Sequence, residues 1–216
     1  MRTVWVTALW LSAAVALVPA QRAGTPGPAA SARGAARAPT KMVTTVECAA
    51  SLGTGVKSRR GFCDVIVAAT PAESVSMTIP PHAGTSTLQF DLHNRFTVPG
   101  ASVPAVLAFA RHRALVSVIR ESGARIGQAV VAREFRTPAD LFDQITGGSR
   151  PGGVKAVAPG PPESVRFTIP AGVSKVGIVG AMLEVRTRAG GAETFDTPGR
   201  PVAIVSNLRL DYTPAR

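Results

Sequence analysis

The sequence predicts a mainly all-β domain, an antiparallel sandwich of jelly-roll type with one short helix. Three observations predict it. Apolar and polar residues alternate with period two over many short segments, Gly and Pro break those segments at short intervals, and one alternating segment occurs twice. Many short strands joined by Gly/Pro turns suit a sandwich or a jelly roll.

At the N-terminus, Arg2 precedes an apolar run from Val4 to Val18 that ends in Val18-Pro19-Ala20. A positive start, an apolar stretch and small residues at the cleavage positions make residues 1–20 a secretory signal peptide, with cleavage before Gln21. The run is shorter than the roughly 20 apolar residues of a spanning helix, so no membrane span is expected after cleavage. The destination is the periplasm or the cell surface. Residues 21–41 are mostly Ala, Gly, Pro, Ser and Thr, with Arg22, Arg33, Arg37 and Lys41 and no acid. They cannot bury enough apolar surface to offset the entropy of ordering, and so read as a flexible tether.

Residues 42–216 form one domain, large enough for a single core. Its two cysteines, Cys48 and Cys63, are expected to form a disulfide, as an even pair in an exported chain does most simply. The bridge would close a Gly-rich loop running from Leu52 to Gly61. The first clear strand has Val75, Met77 and Ile79 on one face and Ser74, Ser76 and Thr78 on the other. Leu88, Phe90 and Leu92 then alternate with Gln89, Asp91 and His93. Leu107 to Ala110, and Ala114 to Arg120 paired through a turn at Glu121 to Arg125 with Ile126 to Phe135, come next in order. Thr137 as N-cap, Pro138 at the first helical position and Asp140 at the third predict a helix through Leu141, Phe142 and Ile145, ended by Gly147-Gly148. Its Asp140 and Asp143 would complement the helix dipole. Gly148 to Pro162 reads as a long loop. Val176 to Val179, Met182 to Arg186, Val202 to Val205 and Leu208 to Tyr212 complete the strands.

The repeat is the most specific internal signal. Pro71-Ala72-Glu73-Ser74-Val75-Ser76-Met77-Thr78-Ile79-Pro80 returns as Pro161-Pro162-Glu163-Ser164-Val165-Arg166-Phe167-Thr168-Ile169-Pro170. A fainter echo comes after each copy, Phe96-x-x-Pro99-Gly100 and Phe195-x-x-Pro198-Gly199. Two related β units are expected, with Val75, Met77 and Ile79 facing inward like Val165, Phe167 and Ile169.

Charge narrows the partners. The chain has 24 basic and 13 acidic residues, a net charge of +11, and the part from residue 42 keeps 19 basic residues. The arginines are scattered and aromatics are few, which argues against nucleic acid, where basic residues interleave with stacking rings. An anionic polymer of the cell envelope fits a basic exported domain better. No nucleophile elbow, zinc-protease motif, phosphate loop or acidic calcium loop is present, and the three histidines share no ligand spacing. No cofactor and no metal is expected. Gln89, Asp91, His93 and Arg95 lie on one polar strand face and are the candidate ligand-binding residues, although alternation alone predicts a solvated outer face there. The function expected is that of an exported, non-catalytic binding or structural module of the bacterial envelope, its ligand a polysaccharide or another protein. The second reading is a hydrolase of carbohydrate or envelope polymer using Asp91, His93 or Glu134, which would need two acids facing one bond.

Overall fold

The computed structural model describes residues 40–43, 46–95, 109–134, 140–147 and 153–215. The signal 1–20 and the tether up to residue 39 lie outside the described residues, as do the echo at Phe96 to Leu107 and the expected helix start at Thr137-Pro138. The strands are β1 Thr40–Val43, β2 Val46–Cys48, β3 Ser51–Gly55, β4 Gly61–Ile66, β5 Val75–Thr78, β6 Ser86–Asn94 and β7 Phe109–Arg120. They continue with β8 Arg125–Glu134, β9 Leu141–Thr146, β10 Val154–Pro159, β11 Glu163–Ile169, β12 Lys175–Thr187, β13 Ala192–Phe195 and β14 Pro201–Tyr212. Among the described residues Thr40 and Lys41 are already paired, with Tyr212 and Asp211 of β14. Among the described residues no helix is long and apolar enough to cross a membrane.

Two sheets face each other. The larger has the order β10-β9-β3-β4-β14-β6-β11, with β1 beside β14; the smaller has the order β2-β5-β12-β7-β8, with β13 beside β12. The segments β4-β14-β6-β11 and β5-β12-β7-β8 are four antiparallel strands each, the first alternating between early and late parts of the chain and the second ending in the consecutive pair β7-β8, which is the arrangement of a jelly roll. Leu88, Phe90 and Leu92 of β6 meet Val116 and Val118 of β7 and Val176 and Ile178 of β12 in the core between the sheets. Cys48 on β2 is bonded to Cys63 on β4, Cα atoms 6.0 Å apart, so the disulfide ties the smaller sheet to the larger. The bridge closes a separation of 15 residues, worth about 3 kcal/mol in the chain-entropy model. Part of the loop expected inside it, Leu52 to Gly55, is β3.

The repeated segments become β5 and β11, and both triplets face the core. Val75, Met77, Ile79 and Ile169 are buried, whereas Val165 and Phe167 are half-buried because β11 is an edge strand. Each copy pairs into the other unit: β5 with β12, the strand after the second copy, and β11 with β6, the strand after the first.

The expected helix and the loop after it are overturned. The segment from Asp140 to Gly147 is not a helix; Leu141–Thr146 is β9, paired with β10 and β3. Six residues are too few for a helix to stand without tertiary support. Two open strand edges are at hand here, and pairing with them satisfies the backbone that helix-start signals would otherwise have organised. The loop expected over Gly148 to Pro162 likewise contains β10, the other half of this hairpin.

Candidate functional site

Strand register fixes the outer face of the larger sheet. On β4, β14 and β6, Asp64 stands beside Ile204 and Ile204 beside His93; in the next row Phe62, Ser206, Asp91 and Ser164 of β11 lie side by side. Further along, Gln89 lies between Arg209 and Arg166. The first two rows are roofed. The β9–β10 hairpin lays Ile145 and Ala158 against Phe62 and Ile204 to make a second, smaller core, with Phe142 packed against it. Pro159 at the end of β10 reaches His93 on β6, although β9, β3, β4 and β14 lie between those two strands in the sheet. The larger sheet therefore curls over its own outer face, and the solvated face expected for Asp91 and His93 is covered.

His93 is fully buried. Its Nδ1–H donates to the Pro159 carbonyl at 2.8 Å, which leaves Nε2 to accept from the Ser206 hydroxyl at 3.0 Å. The tautomer is set by the carbonyl, which can only accept. Burial holds the imidazole below its ordinary range, against the opposing pull of the Pro159 bond and the Asp91 charge. His93 is thus a neutral latch between β6 and β10.

Asp91 is buried and accepts from three donors: Arg60 Nη1 at 3.0 Å, Asn207 Nδ2 at 2.9 Å and the Ser164 hydroxyl. Asn207 reaches it from a bulge in β14, where its backbone adopts φ 57°, a left-handed conformation that asparagine tolerates. Arg60 is held on its other side by the Phe142 ring, 5.6 Å from guanidinium carbon to centroid. Arg95 reaches Asp64, Nη2 to Oδ2 3.4 Å. Gln89 is half-buried between the two arginines of its row. The structure thus brings Asp91 and His93 into one covered seam and sends Gln89 and Arg95 to its margins. Glu134 sits on β8 of the other sheet in an exposed pair with Arg111 at 2.7 Å.

Asp64 carries a consequence for pH. Burial, only partly opposed by Arg95, raises its carboxyl from 3.8 to about 6, and Oδ1 has no hydrogen-bond partner among the described residues. Between those values the folded chain keeps a proton that the unfolded chain releases. The stability this group contributes is therefore fully present below about pH 4 and is lost as pH rises through about 6, a difference of about 3 kcal/mol. Asp64→Asn should leave stability nearly unchanged at pH 4 and raise it by about 2–3 kcal/mol at pH 8. Urea denaturation at the two pH values measures this, and an equal effect at both would contradict the assignment.

The turn between β3 and β4 is more than the Gly-rich loop that its residues predict, for it is firmly built. The Asp143 carboxylate accepts from the backbone N–H of Lys57 at 2.9 Å and of Ser58 at 2.7 Å. Burial raises the Asp143 carboxyl, but the Ser58 hydroxyl and these amides outweigh it and hold the group below its usual value. Gly55 N–H donates to the Arg60 carbonyl at 2.8 Å, and Arg59 N–H to the Gly55 carbonyl at 3.1 Å. Arg59 and Arg60 line a cleft of about 540 Å³ beside this turn. Arg209 and Asn207 form another part of its wall, and the Cys48–Cys63 pair lies along it; among the described residues the lining includes no carboxylate. Sequence reasoning missed Arg60, Asp143, Ser164, Ser206 and Asn207. Only the basic run Lys57-Ser58-Arg59-Arg60 pointed here, because the partners come from β9, β11 and β14.

Among the described residues no group of three or more His, Cys, Asp or Glu is placed to hold a metal ion. No family model matches the chain, and no curated protein matches it. Among solved structures the chain is similar to the K1 cleaved adhesin domain of Lys-gingipain from Porphyromonas gingivalis W83, at 10% identity and a TM-score of 0.28, covering 81% of this chain and 100% of that one. A likeness at that TM-score supports no argument about fold or ligand.

Proposed function

We propose that this chain is an exported, non-catalytic binding module of the bacterial envelope, and that it holds a polysaccharide in the cleft beside the β3–β4 turn. The observation that carries this reading is the cleft itself: among the described residues it is lined by three arginines and no acid, Arg59 and Arg60 from a turn held by Asp143 and Arg209 from β14. Ligand sites occupy concavities with a few well-placed polar groups, which this cleft offers and the covered seam does not. The disulfide suits an oxidising compartment outside the cytoplasm, as the signal at residues 1–20 requires. The hydrolase reading gains nothing from the geometry. His93 and Ser206 are both fully buried beneath β10, and Asp64 and Asp91 share a face without opening onto a cleft where a substrate bond could lie between them.

The test uses protein recovered from envelopes, whose N-terminus should map to Gln21. It should bind intact bacterial envelopes, and periodate oxidation of their sugars should abolish that binding while protease treatment spares it. Binding that survives periodate and is lost to protease would make the ligand a protein.

A further inference from the structure

Polysaccharide binding at this cleft leaves the chemistry of the ligand open. Resting on that reading, we infer that the cleft recognises an oxyanion substituent on the polysaccharide, a carboxylate or a sulfate or phosphate ester, gripped between Arg59 and Arg209 with Arg60 behind them.

The backbone of Arg59 is the first reason. Its φ is 59°, the left-handed region that disfavours any residue with a Cβ and that glycine or asparagine ordinarily fills. The side chain is exposed and has no hydrogen-bond or ion-pair partner among the described residues. The side chain has no part in the pairing of the described residues, and strain of this kind persists where the surrounding structure enforces it and clusters at functional sites. Here the enforcement is visible in the Gly55–Arg60 and Arg59–Gly55 backbone bonds and the Asp143 carboxylate.

The second reason is a chain of contacts that positions the other two guanidiniums. Arg209 Nε donates to Asn207 Oδ1 at 3.1 Å, Asn207 Nδ2 donates to Asp91, and Asp91 receives Arg60. Asp91 is buried and lies outside the cleft lining, so it orients the basic groups without a carboxylate on the wall. Arg209 keeps both Nη groups available, and Arg60 spends one N–H of its five. Planar guanidiniums with donors to spare match the two-oxygen edge of a carboxylate, sulfate or phosphate. Ser51 and Thr54 add polar groups to the same lining, able to meet the hydroxyls of neighbouring sugars.

The experiment is calorimetric titration of the processed full-length protein with polygalacturonate, dextran sulfate and neutral dextran, in wild type, Arg59→Gly, Arg209→Gln and, as a control for net charge alone, Arg125→Gln. NMR titration with inorganic sulfate tracks the arginine side chains. At least one anionic polymer should bind and neutral dextran should not, and which anionic polymer binds tells the carboxylate source from the ester source. Arg59→Gly and Arg209→Gln should each weaken binding about tenfold or more, Arg125→Gln should not, and Arg59→Gly should raise Tm, which separates lost binding from lost folding. Binding of an anionic polymer that Arg59→Gly and Arg209→Gln leave unchanged, or equally tight binding of neutral dextran, would overturn the inference while the polysaccharide reading stood. Sulfate shifts at Arg59 and Arg209 without binding of any polysaccharide would leave the oxyanion site standing and end the polysaccharide reading.

Discussion

Phe62→Ala is expected to destabilise the domain by about 3–5 kcal/mol, the range for a fully buried aromatic replaced by a methyl group. Phe62 is 1% exposed and stands at the centre of the second core, with Ile145, Ala158 and Ile204 around it. Its ring lies edge-on to Phe142 at 6.5 Å between centroids and tilted to His93 at 5.6 Å. Neighbours on the rigid strands β4 and β14 cannot collapse into the space it leaves, so a cavity remains. The loss should fall unevenly. Denaturant titration gives the total, and hydrogen exchange should show β9 and β10 losing protection well before β6 and β7, because Phe62 supports the hairpin and lies outside the core between the sheets. Equal loss of protection in both places would mean that the two cores form one cooperative unit.

Gly53→Ala is expected to destabilise by about 4 kcal/mol, on the order of 1–2 from its left-handed φ and up to about 3 from overpacking. Gly53 has φ 112°, and a Cβ placed on it would press into the backbone carbonyl of Thr146, nearer than real Cβ atoms come. That neighbour is main chain of a paired strand, so it cannot step aside as a side-chain tip could. The residue also marks a register shift between β3 and β4. Denaturation measures the loss, and a near-neutral Gly53→Ala would show that β9 can shift without harm.

Much of the fold is legible in the sequence, and the reason is local. Alternation in Val75-Ser76-Met77-Thr78-Ile79 and in Leu88 to His93 says which side chains face inward, whatever the strands pair with. What alternation cannot say is what lies on the other side. Ser76, expected on a wet face, is buried and donates to Glu47 at 2.9 Å. Alternation puts Asp91 and His93 together on one face of β6, yet that face is covered by a hairpin distant in sequence, whose first strand is preceded by the signals of a helix start. The candidate site is less legible still. Arg60 comes from the β3–β4 turn, Asn207 from β14 and Ser164 from β11, and they meet at Asp91 through a register that periodicity leaves free. Asn207 is the clearest case: a bulge turns it toward Asp91, and a bulge is set by pairing rather than by residue type.

The exchange of strands between the two units bears on when this chain can fold. β14, the last of the described strands, lies in the interior of the larger sheet between β4 and β6. Until it arrives, β4 and β6 have no neighbour to hold them side by side, and β5 likewise waits for β12. Closing such distant pairings delays folding. For a protein proposed to cross a membrane before it matures, slow assembly would be an asset: until β14 joins β4 and β6 the larger sheet stays open, and an open chain can still be threaded.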